Sequence, residues 1–196
     1  MPNHVTNILR VTGDARQKQQ LLESIKSEEI GIGSIDFNKI LPPPDNIYQG
    51  SLGKDEFSKY GKNNWRDWNI VHWGTKWNSY GYDETKKFDG EQLNFKTAWS
   101  CPEPVIKVLA AKFPKLSFEL QWADEDFGYN VGHKKYANGE QVFSATPKGG
   151  TREALELAAE VHDVDLADLG YLYNENTNQY EYFEPEEPTQ EVEMKL

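Results

Sequence analysis

Cysteine is almost missing from this chain. Cys101 is the only one in 196 residues, which excludes an internal disulfide and a Cys-rich zinc site and fits a reducing compartment. Long apolar runs are missing too. Nothing approaches eighteen consecutive hydrophobic residues, so no helical membrane span is read. The opening "MPNHVTNILRVTG" has no basic stretch leading into an apolar core, so no secretory signal is read and a cytoplasmic location is expected. His4, His72, His133 and His162 lie far apart, none with a second His or Cys three or four residues away. Zinc motifs need that spacing to bring ligands onto one turn or helix face, so no metal is assigned.

Signs of catalysis are equally sparse. There is no Gly-x-Ser-x-Gly elbow and no clear carboxylate pair. Cys101 in "WSCPEP" precedes a helix start, yet no histidine stands nearby in sequence to act as its base, and it is read as structural. "WADEDF", with Asp124, Glu125 and Asp126, lacks the glycine and terminal glutamate of a calcium loop and reads as a solvated turn. "PKGGT" lacks the full phosphate-loop spacing and reads as a link into a Thr-capped helix. No catalytic residue and no cofactor is expected.

Aromatics and acidic charge, by contrast, are plentiful. The formal net charge is −11, and it is unevenly placed. From Thr151 onward there are thirteen acidic residues against Arg152 and Lys195, whereas residues 1–150 carry nineteen of each sign. Such a segment repels phosphate backbones and attracts basic surfaces, so no direct DNA binding is expected. Its plain reading is a solubilising end.

Hydrophobic periodicity gives the organisation. "HVTNILRVT" reads as a strand, followed by a helix capped at Asp14 with Leu21, Leu22 and Ile25 as its stripe. "GSIDFNKILPPP" reads as a second strand ended by the prolines. "LNFKTAW", "SCPEPVIKVLAAKFP" and "LSFELQW" repeat strand, helix, strand, with Leu116, Phe118, Leu120 and Trp122 on one face. Two such halves predict an α+β fold, the ferredoxin-like βαββαβ antiparallel sheet, over residues 1–146. Residues 42–90 form a helical, Trp-rich insertion with a break at Gly61. Asn138-Gly139 predicts a tight hairpin that extends the sheet. Residues 147–183 add a helix, "TREALELAAEVH", and a Tyr-rich hairpin packed on the domain, and 184–196 read as a disordered acidic tail.

The insertion contains "HWGTKWNSYGYD". Two roles are open to its rings: covering the sheet, as large aromatics usually do, or forming a stacking platform or protein hot spot. The first is preferred, with Trp73 and Trp77 buried and Lys76 pointing to water. Trp73, Lys76, Trp77 and Tyr80 stay as secondary binding candidates. The primary candidates are the carboxylates on and after the last helix: Glu153, Glu156, Glu160, Asp163, Asp165 and Asp168.

"MPNHVTNILRVTG", "IDFNKILPPP", "NWRDWNIVHWGTKWNSY" and "FKTAWSCPEPVIKVLAAKFP" together resemble the YubB-type family of phages and conjugative plasmids, from Met1 to about residue 146. The resemblance implies a ferredoxin-like fold and an accessory role in a bacterial host, such as inhibition of host defences. It carries over no catalytic residue. Where that family usually has Pro after Trp-Ser, this chain has Cys101, which argues against a shared role at that position. The expectation is a non-enzymatic binder of the anti-CRISPR or anti-restriction type. Its partner would be a host protein with a basic surface, such as a nucleic-acid-binding defence complex. The alternatives are a nucleic-acid-binding module using the sheet and the aromatic insertion, or an enzyme without a recognisable motif.

Overall fold

The computed structural model describes residues 2–82, 88 and 90–184. Strand β1 (His4–Gly13) is an interior strand of a five-stranded sheet. It pairs antiparallel with β2 (Gln92–Ala98) on one side and with β3 (Leu116–Asp124) on the other. Helix α5 (Glu103–Lys112) connects β2 to β3 across β1, so the three strands and α5 form a split βαβ unit. The hairpin β4 (Gly132–Ala137) and β5 (Glu140–Ala145) extends the sheet beyond β3, giving the order β2-β1-β3-β4-β5. Asn138 and Gly139 both take positive φ at its tip, as a tight primed turn requires.

The first half departs from the expected strand, helix, strand. Helix α1 (Ala15–Ile25) forms, capped by Asp14 and burying Leu21, Leu22 and Ile25. The strand expected in "GSIDFNKILPPP" does not. Asp36 instead accepts a hydrogen bond from Asn38 N–H and starts the short helix α2 (Phe37–Ile40), which buries Phe37 and Ile40. An Asx cap of this kind competes directly with a strand ladder, and here it wins. The insertion supplies α3 (Lys54–Tyr60) and α4 (Trp65–His72), separated at Gly61.

The rest of "HWGTKWNSYGYD" that is described occupies the edge of β2. Tyr80 and Lys96 exchange backbone hydrogen bonds, and Lys76 N–H donates to Ala98 O at 3.2 Å. Asn78 Oδ1 accepts from Phe37 N–H at 2.9 Å, tying the same loop to α2. Trp73 sits edge-on to Phe37 and Trp68 and donates its indole N–H to Leu41 O at 2.8 Å. Gly74 is needed where it is: its φ is +80°, and a Cβ would lie 2.9 Å from Pro104. This loop closes an edge that would otherwise present unpaired backbone.

Both faces of the central strands are covered. Val5, Leu9 and Val11 of β1 join Phe95, Phe118 and Leu120 in a core shared with α1 and α5. Ile8 and Ala123 point the other way and pack against Ala154, Ala158 and Val161 of α6 (Arg152–His162). A separate hairpin, β6 (Tyr171–Asn174) with β7 (Gln179–Tyr182), follows. The tail expected over 184–196 lies outside the described residues after Glu184. Among the described residues no helix is long and apolar enough to cross a membrane.

The two tryptophans of the loop have different fates. Trp73 is 4% exposed, but Trp77 is 37% exposed, and Lys76 is half-buried instead of free in water. Burial of both rings is therefore corrected: only Trp73 faces the core, because Thr75 turns the chain by donating its hydroxyl to Trp77 O. Trp73→Ala should cost about 3–5 kcal/mol of unfolding free energy. Trp77→Ala should cost about 1–2 kcal/mol, in keeping with its smaller buried area. Chemical denaturation of the two variants checks the order.

Candidate functional site

The first candidate surface is the outer side of α6 with the turn after it. Thr151 caps the helix, and its inner face of Ala154, Leu155, Ala158 and Val161 anchors it. Glu153, Glu160, Asp163, Asp165 and Asp168 are exposed. Glu156 is half-buried and bonded to Arg152 at 2.7 Å, so it belongs to the fastening more than to the surface. Arg152 also reaches Asn178 Oδ1 at 2.7 Å and stacks over Tyr173, which ties the helix start to the β6–β7 hairpin. Glu160 accepts a hydrogen bond from Gln121 Nε2 at 2.7 Å, and Gln121 in turn accepts from Arg10. Asp163 holds the left-handed position that ends the helix. It therefore places negative charge at the negative end of the helix dipole, where a carboxylate is disfavoured.

The second candidate is one end of the sheet, where Trp77 and Trp99 flank Lys76. The Lys76 ammonium lies 4.5 Å from the Trp77 ring centroid and 4.9 Å from that of Trp99. Among the described residues it has no carboxylate or carbonyl partner. Trp77 also meets Tyr80 edge-on at 6.3 Å, and the Tyr80 hydroxyl is 2.6 Å from His4 Nδ1. Burial, with the nearby Glu125 carboxylate, raises the Tyr80 phenol above its ordinary pKa. Of the secondary candidates, Lys76, Trp77 and Tyr80 come together here, while Trp73 is in the core.

Trp99 completes this cluster and was missed in the sequence. It is 42% exposed and carries a φ of +78°, a backbone conformation that bulky residues seldom adopt. A clasp holds it there. Trp99 N–H donates to Asn3 O at 3.0 Å, and Trp99 O accepts from Asn130 Nδ2 at 3.1 Å. Asn130 Nδ2 also reaches Asp124 Oδ2 at 2.8 Å, and Asp124 Oδ1 accepts from Asn3 Nδ2 and from Asp126 N–H. Asp124 is 4% exposed, so a buried carboxylate holds the side chains of Asn3 and Asn130, the two residues that position Trp99. Thus "WADEDF" is more than a solvated turn. No periodicity signals such a clasp, because its members come from three separate segments.

Cys101, two residues beyond Trp99, is buried. Burial, then the neighbouring Glu103 carboxylate, pushes its thiol up to about 12. That is the reverse of what a nucleophile needs. Among the described residues no three His, Cys, Asp or Glu side chains gather as metal ligands would.

This geometry is that of a ferredoxin-like domain whose second face is closed by an added helix. Residues 72–165 match the family described as the ferredoxin-like domain in Api92-like protein. The match begins at the end of α4 and closes just after α6, so it takes in the loop with Trp77, Trp99 and the β2–α5–β3 part of the split βαβ unit, but not β1. None of the curated proteins and none of the solved structures compared gives a match.

Trp99 provides a direct test of backbone strain. In that left-handed position glycine is free of the Cβ clash, so the usual order of the two smallest residues should reverse. Trp99→Gly should be about 1 kcal/mol more stable than Trp99→Ala. Paired thermal melts check it. Cys101 should resist iodoacetamide at neutral pH in the folded protein and react once it is unfolded, as mass spectrometry would show.

Proposed function

We propose that this is a non-enzymatic binding protein that engages a basic protein surface through the acidic side of α6 and the turn after it. The observation that carries this reading is the fixed array of exposed carboxylates: Glu153, Glu160, Asp163, Asp165 and Asp168 on an element anchored to the sheet. A fixed array loses little entropy on binding, and its Asp163 holds charge where the helix dipole opposes it. The neutral first 150 residues leave this segment as the source of the long-range field. The resemblance to YubB-type proteins supports a mobile-element origin in phages or plasmids and a role in the cytoplasm of a bacterial host. The partner of that reading is a nucleic-acid-binding defence complex, an anti-CRISPR or anti-restriction role, in which the carboxylates take the place of phosphates.

The nucleic-acid module that uses an open sheet face is less well supported, since α6 covers Ile8 and Ala123 on that face. Expression of the protein should protect an incoming plasmid against a CRISPR or restriction system in a bacterial host. Reversing Asp163, Asp165 and Asp168 to lysine should remove the protection and flatten the salt dependence of association with the purified effector. Ending the chain after residue 183 should leave both intact. Asp163→Asn should raise the melting temperature slightly while weakening the partner complex, because asparagine also tolerates the left-handed cap. Protection that survives the triple reversal, or that is lost with the tail, overturns the assignment of this surface.

A further inference from the structure

We infer that the Lys76–Trp77–Trp99 cluster is a second binding site, separate from the acidic helix, and that its ligand is a nucleotide: a flat ring on exposed indole surface with one phosphate on the Lys76 ammonium. Three observations carry this. The first is the ammonium of half-buried Lys76, which stands over two indole rings with none of its donors bonded to a protein acceptor among the described residues. An ammonium so placed gains a charge-assisted hydrogen bond from an anion brought to it. The second is the pair of indoles, which remain exposed although Trp65 and Trp73 are seated with their N–H groups on Gly50 O and Leu41 O. The third is the strained backbone of Trp99, fixed by a buried carboxylate and two amides. Strain maintained by such a network marks a side chain whose position matters more than its contribution to stability.

The backbone around the cluster decides between ligand classes. Lys76 N–H, Trp99 N–H, Trp99 O and Trp77 O all have partners already: Ala98 O, Asn3 O, Asn130 Nδ2 and the Thr75 hydroxyl. An extended peptide, which binds through main-chain hydrogen bonds, finds none of these groups free. A stacked ring needs none of them, because every base offers a π-face. One ammonium without an acceptor among the described residues matches one phosphate. The −11 net charge opposes a polyanion, so a free nucleotide is the favoured source over a nucleotide within a single strand.

Calorimetric titration of the full chain tests this with adenosine monophosphate, adenosine, ribose 5-phosphate and a short oligothymidylate. Adenosine monophosphate should bind at least about tenfold tighter than adenosine or ribose phosphate, since each of those keeps only the stacking or only the charge. Lys76→Gln should lower its affinity about tenfold or more and leave adenosine unaffected. Trp99→Gly, which removes the ring without backbone strain, should weaken both about tenfold. Equal affinity for mononucleotide and oligonucleotide assigns the free nucleotide. A tighter oligonucleotide that is lost in both variants assigns the strand, and either result supports the site. Binding of neither, or binding unchanged by both substitutions, overturns it.

Discussion

Everything in this fold follows from burying β1 on both faces. Its neighbours β2 and β3 leave it no edge, and its side chains alternate between two apolar layers: Val5, Leu9 and Val11 on one side, Ile8 on the other. A strand in that position needs cover above and below. Helices α1 and α5 provide the first layer, as in a ferredoxin-like domain. The second face, open in the simplest form of the fold, is covered here by α6. The carboxylates of α6 are therefore fixed in place as a consequence of closing the core. Its inner face is alanine, leucine and valine because it must pack, and its outer face is free to carry carboxylates.

Much of this was legible from periodicity. The stripes of α1 and α5, the alternation of β2 and β3 and the stripe of the Thr151-capped helix have periods long enough to read, and Asn138-Gly139 is legible from its turn chemistry. What failed was short. In "SIDFNKI" the inward residues Ile35, Phe37 and Ile40 fit a strand for two positions and then a helical step. The outcome rested on one side chain, Asp36, bonding to Asn38 N–H. The packing of α6 on the far face could not be read either, because its stripe says that it buries a face but not against what. The separation of Trp73 from Trp77 is of the same kind. Both stand in one turn, and bonds that no period signals, Trp73 Nε1 to Leu41 O and the Thr75 hydroxyl to Trp77 O, send one ring into the core and the other out.

The loop around them thus serves two purposes at once. Backbone from Lys76 and Tyr80 closes the edge of β2, where the missing strand would have paired. That closure fixes Lys76 and Trp77 next to the end of β2, and so next to Trp99. Losing a strand to the Asp36 cap left an edge to be covered. Covering it with an aromatic turn brought a cation and an indole to a place where a second indole was available.

Asp124 connects this end of the sheet to the other surface. Its carboxylate accepts from Asn3 and from Asn130, the two residues that hold the Trp99 peptide, while its backbone carbonyl accepts from His162 Nε2 at 3.0 Å. His162 is the last residue of α6, directly before the Asp163 cap. One buried residue at the end of β3 therefore sets both the conformation of an exposed tryptophan and the seat of the helix end from which the acidic turn departs. A buried carboxylate gives up its hydration, and here two side-chain amides and a backbone N–H take its place. A core that only had to be stable would be better served by an apolar residue there, and the two surfaces fastened to Asp124 give a physical reason for the carboxylate.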